Sequence, residues 1–363
     1  MRLFGLRSHQ SSITYILPIN NNIIFSADQN GYIIKWNLSI KRPILKYKAH
    51  NDSITTLILL QNKYIISHSR DSTIKVWLDD ECKFEMAVNA LNFSNIILFK
   101  DEYLITPSTI DSNNLDIYKL TVKNEEWNLS RLISNFSCFQ LLDKNPIESN
   151  ENNLKGRQDF GIIMKIYLIE SIVYIGFESG DVIGLEITIP ESKIITNQNS
   201  KTIINKELKL SLIYHNSTTV PNPIISLSSL DGYLVSGSTN KKVIIHKSPP
   251  EILKFSNSGT SSILSYNNKL ILGFWNGVIE YGDQIIERNL PQIRNEELTT
   301  TPSENTISDT NIKLTFMCLL RKSEDTKVDE KKSKYLTKLK RTQANDILLV
   351  GYIDGSILAY SID

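Results

Sequence analysis

The sequence predicts an all-β protein, a seven-bladed β-propeller closed by its own N-terminal strand, and three observations carry that prediction. Landmark residues recur at a spacing of 41 positions: His9 and His50, Asn30 and Asp71, Trp36 and Trp77, with Tyr118 a further 41 beyond. A period of about 40 to 45 with a His early and a Trp late belongs to a four-stranded blade. Between the landmarks run short apolar alternations broken by turn residues, as in "ITYILPINNNIIFSADQNGYIIKWNL". That is the pattern of strands in hairpins, whereas stacked helices would repeat at about 3.6 residues. Finally, strand pairs of this kind occur seven times along the chain.

Taken in order, the pairs are "IIFSADQNGYIIKW" ending at Trp36, "YIISHSRDSTIKVW" at Trp77, "YLITPSTIDSNNLDIY" at Tyr118 and "VYIGFESGDVIGL" at Leu185. "YLVSGSTNKKVIIH" ending at His246, "LILGFWNGVIEY" at Tyr281 and "ILLVGYIDGSILAY" at Tyr360 complete the set. In most of them a turn of Gly, Asn, Asp or Ser follows a strand rich in Ile, Val and Tyr, the bias expected of pleated, half-buried segments. The last pair ends three residues before Asp363, which leaves the seventh blade without an outer strand. "LFGLR" (3–7) is placed to supply it, and that closure protects an edge otherwise free to pair with other chains.

Two spacings are long, 67 residues from Tyr118 to Leu185 and 79 from Tyr281 to Tyr360. Polar inserts at 143–159, 190–206, 291–311 and 321–346 account for the excess, with the Asn, Ser, Lys and Glu bias of surface loops. The expectation is one domain over 1–363.

Hydrophobic residues at 41% supply a real core, which excludes a mainly disordered chain. A net charge of +1 offers no global field for nucleic acid or an anionic membrane. Cys82, Cys138 and Cys318 lie far apart, an odd number with no C-x-x-C, which argues against a disulfide framework or a zinc site and for a reducing compartment. No apolar run is long enough to span a membrane and no secretory signal opens the chain, so an intracellular, soluble protein is expected.

In type, the first two units resemble WD repeats, making the expected ring a WD40-type propeller. The resemblance implies a hydrogen-bonded chain of a His before the first strand, a Ser or Thr on the second, an Asp in the turn and a Trp on the third. The second blade offers His50, Ser67 or Ser69, Asp71 and Trp77, and the first offers His9, Ser26 and Trp36 with Asn30 in place of the turn aspartate. Since Asn provides no anionic acceptor, the first network is expected to be the weaker. The other five blades lack the Trp, so their networks are expected to be incomplete or absent. Trp127 and Trp275 are expected to pack between blades.

A Ser-His-Asp hydrolase is the sharper reading of His50, Ser67 and Asp71, but the structural network already explains the spacing and no G-x-S-x-G elbow occurs. His68, His215 and His246 do not fall at metal-ligand spacing. No phosphate-binding glycine motif is present, so no cofactor is expected. An FRRG motif for phosphoinositides and a WDxR box are also missing. "KKSKYLTKLKR" (331–341) reads as a nuclear localisation signal, a nucleic-acid patch or a solvated loop, partly neutralised by the preceding "SEDTKVDE".

Closer still, "LRSHQSSIT", the Gly31-Tyr32 turn, Lys41-Arg42-Pro43, Lys48-Ala49-His50 and the ending "GYIDGSILAYSID" resemble the ASTRA-associated protein 1 family of fungi. The resemblance implies a non-enzymatic scaffold subunit of the ASTRA assembly, with a Tra-type kinase-like protein, Tel and Tti co-chaperones and RuvB-like ATPases as partners. It also implies roles in chromatin regulation and in maturation of phosphatidylinositol-3-kinase-related kinases, and a nuclear location with a cytoplasmic pool. Such a subunit would be a monomer within its complex, without direct nucleic-acid or membrane contact. Its partners are expected on the loops of one face and on the inserts at 143–159 and 321–346. The rival readings are an adaptor or substrate receptor in another assembly and, more remotely, a propeller hydrolase.

Overall fold

The computed structural model describes residues 1–89, 93–123, 126–144, 159–189, 193–197, 200–204, 208–288, 312–321 and 346–362. They form seven four-stranded antiparallel sheets, arranged as a seven-bladed β-propeller, and one separate hairpin. The first blade consists of Ile13–Pro18, Ile23–Asp28, Tyr32–Asn37 and Arg42–Lys48, counted outward from the channel. The seventh consists of Leu314–Leu320, Ile347–Tyr352, Ser356–Ser361 and the N-terminal strand Arg2–Arg7, which pairs antiparallel with Ser356–Ser361. The ring is therefore closed by the first residues of the chain, with Leu6 buried beneath the seam.

Position within a blade decides side-chain character. Second strands lie between two neighbouring sheets and are buried along nearly their whole length, as in Tyr64–Ser69 and Ile347–Tyr352. Fourth strands lie on the perimeter and alternate with solvent, as in Arg42–Lys48 and Lys209–Asn216. In six blades the first strand carries an extra residue at its second position, a β-bulge at Thr14, Thr55, Met164, Ile225, Ser261 and Thr315. Such bulges bend and twist a strand, here at the mouth of the channel.

Neighbouring blades meet just after this bulge. The second-strand residue opposite is Ala27, His68, Gly176, Gly237, Gly273 or Gly351. A side chain at Gly351 would press into Ile13 of the first blade, whose Cγ2 lies 2.5 Å from the Cβ position. His68 is the large exception, fully buried, and the blade that follows it has the short first strand Ile97–Phe99. Thr55 Oγ1 lies 2.6 Å from the His68 Nδ1, and burial lowers the imidazole pKa to about 3.

Of the inserts at 143–159 and 321–346 only the end residues are described, and the insert at 291–311 and the basic run 331–341 lie wholly outside the described residues. At the start of the first of these, a short helix, Cys138–Lys144, packs on the third and fourth blades. Within 190–206 the chain forms the separate hairpin, Lys193–Asn197 paired with Ser200–Ile204. The three cysteines carry free thiols, and none of the described helices is long and apolar enough to cross a membrane.

Candidate functional site

In the second blade a chain of hydrogen bonds begins at the indole. Trp77 Nε1–H donates to Ser67 Oγ at 2.8 Å, Ser67 Oγ lies 2.6 Å from His50 Nε2, and His50 Nδ1 lies 3.0 Å from Asp71 Oδ2. With the serine oxygen accepting from the indole, its O–H donates to Nε2, which places the ring proton on Nδ1, facing the carboxylate. Burial lowers the His50 pKa against the pull of Asp71. Burial alone would raise the Asp71 carboxyl, but the Thr73 hydroxyl, the Asn51 N–H and His50 outweigh it and hold it below the usual carboxylate range. Ser69 stands outside the chain, donating to the Asp52 carbonyl and accepting the Asp71 N–H.

The first blade corrects the expectation for Asn30. Its acceptor is Asp28: His9 Nδ1 lies 2.7 Å from Asp28 Oδ2, His9 Nε2 lies 2.7 Å from Ser26 Oγ, and Trp36 Nε1–H donates to the same oxygen at 2.7 Å. Asn30 contributes its backbone N–H to Asp28 Oδ1, as does Tyr32. Asp28 occupies the place that Ser69 holds in the second blade, so the carboxylate has moved two residues back across the turn. Burial would raise the Asp28 carboxyl, but the His9 bond and the backbone donors lower it on balance. The first network thus has a charged acceptor and is not the weaker of the two on that ground. The shift is fitted by Gly31 at φ +80, whose carbonyl accepts Ala49 and His50 N–H at 2.9 and 3.1 Å and binds this turn to the next blade.

The Ser-His-Asp wiring resembles a hydrolytic triad in its connectivity. Ser26 and Ser67 are both 0% exposed, and each oxygen is already engaged by an indole. A substrate carbonyl has no approach to either serine while the blade is folded.

Four of the remaining blades carry polar networks of other residue types, none of them the full His–Ser–Asp–Trp chain. In the third, the fully buried Asp116 accepts from Tyr118 O–H at 3.0 Å, Arg131 Nη2 at 2.5 Å and Asn135 N–H at 2.8 Å. Burial first, and then the adjacent carboxylate, push the Tyr118 phenol up to about 12. In the fourth, His215 Nε2 lies 2.9 Å from Asp181 Oδ1. In the fifth, His246 Nε2 lies 2.8 Å from Ser236 Oγ and its Nδ1 2.6 Å from the Tyr214 hydroxyl, and burial lowers its pKa to about 4. In the seventh, Tyr352 and Tyr360 hydroxyls meet at 3.0 Å, beneath an Arg288 guanidinium that pairs with Asp354. Arg131, Tyr214 and His215 come from fourth strands rather than from the entry loop or the third strand, so a search at the spacing of His50 and Trp77 passes over them. Among the described residues no cluster of His, Cys, Asp or Glu could hold a metal ion.

The face that bears these turns also exposes apolar side chains. Phe93 precedes the third blade, and Ile110, Trp275 and Ile353 sit in the turns between second and third strands of the third, sixth and seventh. Trp127 packs between blades against Tyr64 and Phe84. Trp275 departs from the packing expected of it: it is 40% exposed, covering Gly259 on one side and facing the Lys313 ammonium at 5.4 Å. Elements brought to one face by the antiparallel meander thus present a discontinuous apolar surface.

Fold and site together define a seven-bladed β-propeller with sealed polar networks behind a partly apolar face. The sequence model of the family described as ASTRA-associated protein 1 matches residues 2–360. Curated proteins of that description from Lodderomyces elongisporus, Candida tropicalis and Candida albicans strain WO-1 are 47%, 46% and 45% identical, each over 99% of this chain and 97 to 99% of their own length. The chain belongs to the ASTRA-associated protein 1 family. Among solved structures, the computationally designed Ika8 protein is similar with a TM-score of 0.53 at 15% identity, covering 99% of each chain, a likeness of fold alone.

Proposed function

We propose that this protein is a non-enzymatic scaffold subunit associated with the ASTRA assembly. The observation that carries the reading is the family match over almost the whole chain, since the relatives are described as ASTRA-associated. The sealed serines support the absence of chemistry, and the exposed Phe93, Ile110, Trp275 and Ile353 support a docking role for that face. The partners in this reading are the Tra-type kinase-like protein, the Tel and Tti co-chaperones and the RuvB-like ATPases. The work is done in the nucleus with a cytoplasmic pool, in chromatin regulation and in maturation of phosphatidylinositol-3-kinase-related kinases.

Affinity purification of the tagged protein from its own cells at moderate salt, followed by mass spectrometry, tests it. Recovery of the kinase-like protein with Tel and Tti proteins is the expected result. Ile110→Asp and Ile353→Asp, both surface changes, should leave the melting temperature unchanged and reduce that recovery. Recovery of a ligase or coat component instead would replace the reading with that of an adaptor elsewhere.

A further inference from the structure

The first strands surround a central channel of about 630 Å³. Its wall, among the described residues, carries two charged side chains, Lys165 and Arg70, and no carboxylate. Composition does not explain that bias, because the chain has 40 basic and 39 acidic residues. Nor is either cation neutralised by an ion pair among the described residues; the Arg70 guanidinium rests on the Phe93 ring at 4.6 Å. Arg70 stands in a turn at the mouth, and Lys165 lies one residue inward of the bulge level in the fourth blade.

The bulges add hydroxyls at that level, since Thr14, Thr55, Ser261 and Thr315 are the extra residues in four blades and all four line the channel. The Thr14 and Thr315 hydroxyls are buried and have no protein partner. A half-buried cation such as Lys165, with no ion-pair partner among the described residues, is unfavourable unless something in the cavity pairs with it. Burial also lowers the Lys165 pKa to about 8.

We propose that the channel is an anion site, taking a small multivalent phosphate or carboxylate that bridges Arg70 at the mouth and Lys165 within, with no carboxylate among the described wall residues to compete for either cation. Charge-assisted bonds of this kind favour an anion over water. Besides the two cations, the titratable groups on the wall are Tyr15, Tyr167 and Cys318. Burial pushes Tyr15 up to about 12 and Cys318 higher, so neither gains charge near neutral pH.

Calorimetric titration of the full chain with inorganic tripolyphosphate and, separately, with citrate tests the proposal and distinguishes the two anion chemistries. One-to-one binding by at least one of them is expected. It should weaken by about tenfold or more in Lys165→Met and in Arg70→Ala and stay unchanged in the surface control Lys269→Ala. For the unaltered protein, an affinity for the bound anion that declines as pH rises above about 8 is expected, as Lys165 loses its proton. That measurement stands even where Lys165→Met fails to fold. Absence of heat with both anions, equal affinity in the channel variants, or an affinity independent of pH would each overturn the proposal.

Discussion

His9 Nδ1 lies 2.7 Å from Asp28 Oδ2, and this pair joins the segment leaving the closing strand of the seventh blade to the second strand of the first. The ring is thus held at its seam twice, by backbone pairing of Arg2–Arg7 and by a buried charge-assisted bond two residues later.

Asp28→Asn is expected to destabilise the protein by about 2 to 4 kcal/mol, because the imidazole and two backbone donors lose an anionic acceptor in a buried setting. Asn30→Ala, which leaves its backbone donor in place, should fall within about 0.5 kcal/mol of the parent. Urea unfolding of the two variants checks the assignment, and the reverse order would return the role to Asn30.

Acid should weaken the fold before the carboxylates titrate. His50, His68 and His246 have native pKa values below the ordinary 6.5, the last two at about 3 and about 4. Below pH 6.5 the unfolded chain takes up protons that these buried rings refuse. Stability is therefore full above that value and falls as pH drops toward 4, by about 1.4 kcal/mol per unit of depression for each ring. Depressed carboxyls at Asp28, Asp71 and Asp116 extend the loss to lower pH, since their stabilisation is present above the unfolded pKa near 3.8 and disappears as pH falls through the native values. Chemical denaturation between about pH 7 and 4 measures the first part, and a flat profile there contradicts neutral buried histidines.

Gly351→Ala should cost about 1 to 3 kcal/mol by overpacking, since the new methyl would meet Ile13 of the next blade. Combined with Ile13→Ala, which removes the Cγ2 methyl that the new side chain would meet, it should cost less than the sum of the two single changes. A double-mutant cycle with no coupling would mean that the two blades accommodate the methyl independently.

Deleting residues 1–7 removes the fourth strand of the seventh blade and leaves Ser356–Ser361 as an open edge. The expected result is a lower melting temperature with concentration-dependent association, read by light scattering. A monomer of unchanged stability would show that the seam needs no strand.

The central strand pairs were legible because their residues are buried between sheets on both faces, so their apolar content survives as a local signal. Fourth strands such as Arg42–Lys48 alternate with solvent and carry little of it. The same reason explains the networks. His50, Ser67, Asp71 and Trp77 could be placed by spacing because each is bound to a fixed point of one blade. Spacing does not mark Asp28, because a turn can deliver its carboxylate from either side and Asn30 is the residue in register with Asp71.

The sequence by itself determined the number of blades, the closing strand and the second network except for the choice between Ser67 and Ser69, since hairpins are local and their period is written in the chain. Only the tertiary structure decided which carboxylate faces His9, that His68 is buried against Thr55, and that Lys165 and Arg70 share one channel with no acid among the described residues. The first two outcomes turn on side-chain geometry within one blade and the third on residues of different blades meeting at the channel, and separation along the chain carries no record of either.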